Sequence, residues 1–82
     1  MPPKTVEDII NKHYNGDKNK FFEDYENKIK NIMSEILGKG HTNTAYYVEE
    51  LKNVQLKIHN RELPSMEDLI RMERAGNNCG FK

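Results

Sequence analysis

The stretch "FFEDYENKIKNIMSEIL", residues 21–37, decides the fold class. Its apolar side chains are Phe21, Phe22, Tyr25, Ile29, Ile32, Met33, Ile36 and Leu37. They recur in steps of three and four, which is the period of an α-helix with one continuous apolar stripe. The opposite side carries Asp24 with Lys28 and Glu26 with Lys30. Both are acid-before-base pairs four residues apart, an arrangement expected to stabilise a helix by about 0.2–0.5 kcal/mol each. Asp17 or Asn19 offers a side-chain cap before the stripe, and Gly38 directly after it reads as a helix stop.

Working outward, the chain reads as further helices. On the N-terminal side, Thr5 and Asp8 form a capping-box pattern. Val6, Ile9, Ile10, His13 and Tyr14 then share one helical face, with His13 at the edge of the core, until Asn15-Gly16 ends it. On the C-terminal side a third helix runs from about Thr44 to about His59, burying Tyr47, Leu51, Val54 and Ile58 and widened by Val48. Tyr46 and Leu56 fall off that face. Pro64 ends the connection, and Ser65 with Asp68 opens a fourth helix. There Leu69, Ile70, Met66 and Met72 face inward, Glu67 and Arg71 pair, and Ala75-Gly76 closes the helix. No period-two run bounded by turns competes. The expectation is an all-α fold of about four helices around a long amphipathic central one. It forms a single domain over residues 1–76, with a loose C-terminal tail over 77–82.

Composition narrows the function. The chain has 82 residues, room for one small domain that buries only about 60% of its unfolded surface. Self-association or a partner protein is therefore expected to add burial. Thirteen basic residues balance thirteen acidic ones, and the balance holds in each half, so no charged tail steers the chain to nucleic acid. Cys79 is the only cysteine, which suits a reducing compartment. The opening "MPPKTVEDII" lacks the apolar core of a signal peptide, and no apolar run is long enough to cross a bilayer. A cytoplasmic protein is expected, reaching a membrane only through something it binds.

The one stretch that suggests catalysis is "GKGHTNT", residues 38–44. A phosphate-binding loop needs Gly-x-x-x-x-Gly-Lys-Ser/Thr between a strand and a helix. Here Gly40 follows Lys39, no upstream glycine has the right spacing, and a helix precedes. A helix stop at Gly38, a turn at Gly40 and N-cap candidates at Thr42, Asn43 and Thr44 account for the segment better. His41, with Lys39, is left over and marks a structural or partner-contacting corner. His13, His41, His59 and Cys79 have no metal-ligand spacing. Glu49-Glu50 and Glu67-Asp68 read as solvated faces and a helix start rather than an acid/base pair. No catalytic residue, cofactor, metal or small-molecule substrate is expected. The hinge "HNRELPS" between helices three and four has the length of a helix-turn-helix, an alternative reading as a nucleic-acid-binding regulator. Acids at the start of its recognition helix argue against that reading.

What remains is protein–protein contact. The pairs Phe21/Phe22, Tyr46/Tyr47 and Met66/Met72 supply the aromatic and methionine surface enriched in interfaces. The candidate partner-binding residues are Lys39, His41, Tyr46 and Leu56.

The opening "MPPKTVEDIINKHYNGDKNKFF" (residues 1–22), the segment "YYVEELKNVQLKIHNRELPSMEDLIRMERAG" (46–76) and the length point the same way. Together they resemble the small rIII-type lysis-inhibition accessory proteins of T-even bacteriophages. The likeness spans essentially the whole chain rather than a short signature. It implies a cytoplasmic antiholin in the host cytoplasm, which binds the cytoplasmic segment of the phage holin. With a periplasmic antiholin, such a protein delays formation of the membrane holes that end in lysis. The resemblance brings no catalytic or cofactor residues.

Overall fold

A computed structural model describes residues 3–39 and 44–78. Among them are four helices and no strand: α1 (Val6–His13), α2 (Lys18–Lys39), α3 (Thr44–His59) and α4 (Met66–Asn78). The all-α expectation holds, and the 22-residue α2 is the longest element.

The helix starts are set by side chains close in sequence. Thr5 Oγ1 accepts the Asp8 N–H at 3.2 Å, and the Asp8 carboxylate accepts the Thr5 N–H at 3.2 Å. Asp17 Oδ1 accepts the Lys20 N–H at 3.1 Å, opening α2. Ser65 Oγ accepts the Asp68 N–H at 3.1 Å, and Asp68 Oδ2 returns the contact from the Ser65 N–H at 2.9 Å. Each such cap stabilises its helix by about 1 kcal/mol, because it pairs amide groups that have no partner inside the helix.

The helix ends hold more surprises. Gly16 turns the chain after α1 with φ of +82°, as expected of glycine there. α3, however, closes without a glycine. The Glu62 N–H bonds to the Lys57 carbonyl at 2.8 Å and the Arg61 N–H to the Ile58 carbonyl at 3.1 Å. This is a Schellman closure with Arg61, at φ of +62°, in the left-handed position. The guanidinium compensates for the strain. It donates to the Ile58 carbonyl at 3.0 Å and sits 5.6 Å from the centre of the Phe22 ring. Two expected glycine stops fall inside helices instead. α2 passes Gly38 to Lys39, and α4 passes Gly76 to Asn78. A glycine inside a helix costs about 1 kcal/mol, which burial of Ala75 and Gly76 can offset.

α2 packs most extensively on α3, α4 lies against both, and α1 shares no extensive interface with another helix. The core combines Phe21, Ile29, Ile32 and Ile36 of α2 with Leu51, Val54 and Ile58 of α3, Met72 and Ala75 of α4, and Val6 and Ile10 of α1. Phe21 is its aromatic centre: it stacks on Tyr25 at 4.5 Å and meets Tyr14 edge-on at 5.7 Å. Such ring pairs add about 0.5–1.5 kcal/mol to simple burial.

Three apolar-face expectations are corrected. His13 is exposed, because the chain leaves the helix at Tyr14 and the tyrosine ring turns onto Phe21. Leu37 is 63% exposed, at the edge of a stripe wider than α3 and α4 cover. Ile70 is 49% exposed although its neighbour Leu69 is partly buried. The expected i,i+4 pairs of α2 are also redistributed. Asp24 meets Lys20 at 3.8 Å, Lys28 lies over the Tyr25 ring at 5.2 Å, and Glu26 reaches across to α3.

Candidate functional site

Of the four candidate residues read from the sequence, His41 lies outside the described residues, and so does the side chain of Lys39. Tyr46 and Leu56 are described and are 57% and 58% exposed. They do not form one patch. They are ten residues apart on α3, about 15 Å along the axis, and about 80° apart around it. The Glu50 carboxylate, one turn on, raises the Tyr46 pKa. Leu56 borders a polar hollow of about 490 Å³ with Glu50, Lys57, Asp68 and Arg71.

Asp68 explains why that hollow is polar. Its side chain is only 5% exposed, yet it accepts from Lys57 Nζ at 2.9 Å and from Arg71 Nη1 at 2.7 Å. Burial alone would push its pKa up. The Ser65 backbone N–H and the Lys57 ammonium outweigh burial and hold the carboxyl below its ordinary range. Arg71 also meets Glu67 at 3.3 Å, the pair expected from the sequence. A similar clasp joins α2 to the end of α3: Glu26 meets His59 Nδ1 at 3.2 Å and Arg61 Nη1 at 3.5 Å. The His59 hydrogen bond, then Arg61, lowers the Glu26 pKa. Lys52 pairs with Glu49 at 3.3 Å. Lys52, Lys57, His59, Arg61 and Arg71, along α3, the hinge and α4, are thus already matched by carboxylates. A nucleic-acid-binding surface needs such charges free for phosphates.

A different surface has the chemistry of a binding site. Between α1, α2 and α4 lies a groove of about 480 Å³. A third hollow, of about 510 Å³, adjoins it at Met66 and is lined by Val6, Leu63 and Pro64. The three volumes are alike; the groove between α1, α2 and α4 differs in reaching down to the core between α2 and α4. The floor of the groove is Ile32 and Met72, each 2% exposed. Ile9, Leu69 and Met66 form partly buried walls, and Ile70 is an exposed lip. Tyr25 closes one side, flanked by Lys28 and Glu73. Burial, then the charges of Asp24 and Glu73, raise the Tyr25 pKa. Its neighbour Tyr14 is pushed up to about 12, first by burial and then by Tyr25 and Asp24. The groove stays open for a geometric reason. The molecule measures 37 × 27 × 17 Å, and the thin direction holds only about two helix diameters. α1 is also too short to lie along the whole of α4.

The sequence reading named Met66 and Met72 as contact surface but placed Ile70 inward and the candidate site elsewhere, although one further signal was present. At 100° per residue, Ala75, Met72, Leu69, Met66 and Ile70 span about 220° of α4. Met72 and Ala75 are the fully covered part of that arc, whereas Leu69 and Met66 are only partly buried and Ile70 is half-exposed. The surplus arc is the wall of the groove.

No protein-family model, no curated protein and no solved structure matches the chain.

Proposed function

We propose that this chain is a small regulatory protein that works by stoichiometric protein–protein binding rather than by turnover, and that its partner occupies the groove between α1, α2 and α4. The observation that carries this reading is Ile70. It is a branched aliphatic side chain 49% exposed at the lip of a groove with an apolar floor. Apolar surface of this kind, rimmed by charge, is typical of sites covered by a partner.

The resemblance described above supplies the partner: the cytoplasmic segment of a phage holin, held so that hole formation and host lysis are delayed. No helix among the described residues is long and apolar enough to cross a membrane. The protein would therefore meet the membrane through the holin. The test is calorimetric titration of the full chain with the holin's cytoplasmic segment. Binding at micromolar affinity or tighter is expected. No heat at tens of micromolar, about the −6 kcal/mol level, removes the reading.

A further inference from the structure

We infer that the groove between α1, α2 and α4 receives one amphipathic α-helix of about three turns, apolar side inward, with a carboxylate set against Lys28 and a Lys or Arg against Glu73. The inference rests on the reading of the groove as the partner site and specifies what kind of segment fits it.

Length is the first argument. The α4 wall runs from Met66 to Asn77, about 16 Å, which is three helical turns. Backbone chemistry is the second. All three walls are helices, whose main-chain groups bond along their own axes. The groove thus offers no sheet edge, and an extended peptide would bury amides without partners. A helix brings its own hydrogen bonds and needs only apolar contact. The floor is suited to that contact. Met72 in the floor and Met66 in the wall adapt to the side chains pressed against them, and Ile70 at the lip projects between anchors spaced i, i+4 and i+7.

Charge is the third argument. Neither Lys28 nor Glu73 makes an ion pair among the described residues. Both stand beside Tyr25, the lysine over its ring at 5.2 Å and the glutamate close enough to raise the tyrosine's pKa. They are the two charged residues that line the groove, and their opposite signs fit a segment that carries one charge of each sign. A neutral small molecule would use neither. It would also leave Ile70 wet, whereas a helix laid on α4 covers it.

The experiment is selection of a displayed library of random 16-residue peptides against the full-length chain. The enriched peptides are then measured by fluorescence anisotropy and circular dichroism. Apolar residues at i, i+3/i+4 and i+7 are expected, with helicity gained on binding. Ile70→Asp, with circular dichroism showing that the variant stays folded, should weaken binding more than tenfold; Leu56→Asp, in the polar hollow beside Asp68 and Arg71, should leave it unchanged. Lys28→Glu should weaken peptides carrying Glu at the facing position about two- to fivefold, the scale of an exposed ion pair, with recovery when the peptide carries Lys there. No enrichment, enrichment without a helical period, or insensitivity to Ile70→Asp overturns the inference. If the holin segment binds and is indifferent to Ile70→Asp, partner binding stands and the groove assignment falls. If helical peptides bind through Ile70 and the holin segment does not, the groove assignment stands and the identity of the partner falls.

Discussion

Replacing Asp68 with Asn tests whether one buried carboxylate joins α3 to α4. The side chain accepts three hydrogen bonds: from the Ser65 N–H at 2.9 Å, Lys57 Nζ at 2.9 Å and Arg71 Nη1 at 2.7 Å. Hydrogen bonds to a charged group contribute about 1.5–3 kcal/mol each. The full sum overstates the loss, because asparagine keeps one acceptor oxygen, and Lys57 and Arg71 are 41% and 36% exposed and rehydrate. Yet whichever way the amide turns, its NH₂ faces a donor. One orientation sets it against Ser65 and Lys57, the other against Arg71. A loss of about 2–3 kcal/mol follows, a large part of the roughly 4–12 kcal/mol expected for a domain of this size. The midpoint of thermal unfolding should fall by on the order of 10–20 °C.

The pH dependence sharpens the prediction. The folded pKa of Asp68 lies below the ordinary value of 3.8. Its contribution is therefore fully present above pH 3.8 and is lost as the pH falls through the lower folded value. The Asn variant has no such titration. Urea unfolding at pH 7, 4 and 2.5 should show the two proteins converging at the acid end. A difference under about 0.5 kcal/mol at pH 7 would refute the reasoning. So would a difference that persists undiminished at pH 2.5, which lies below the ordinary value of 3.8, where the unfolded chain has already taken up the proton.

Three further outcomes are expected. In an ultraviolet titration Tyr14 should ionise last, near its pKa of about 12, and Tyr14→Phe should remove that step; as its folded pKa is raised, the stability it contributes is present below about pH 10 and lost between there and about 12. Arg61→Ala should destabilise more than Arg61→Gly, by about 1 kcal/mol in denaturant unfolding, because both lose the contacts to Ile58 and Phe22 but alanine also keeps the left-handed strain. Leu56→Asn should change stability by less than about 0.5 kcal/mol in the same assay, since that side chain is mostly in water.

Thr5, Asp17 and Ser65 were readable as caps because a cap joins a side chain to an amide two or three residues away. The buried residues of α3 were readable for a similar reason: Tyr47, Leu51, Val54 and Ile58 form one narrow face with a single way to point. Periodicity thus established the helices, their starts and most of the core. It could not say which part of a broad apolar arc is covered. α4 offers about 220° of apolar surface, and only the placement of α1 and α2 leaves Ile70 at the lip rather than on the floor. Leu37 is exposed for the same reason. The ion pairs divide likewise. Glu67–Arg71 lies within one turn and was legible, whereas Glu26 reaches His59 and Arg61, 33 and 35 residues away, and Asp68 reaches Lys57, 11 away on another helix. Forces acting within four residues are written along the chain; the choice among partners brought together by packing belongs to the tertiary structure.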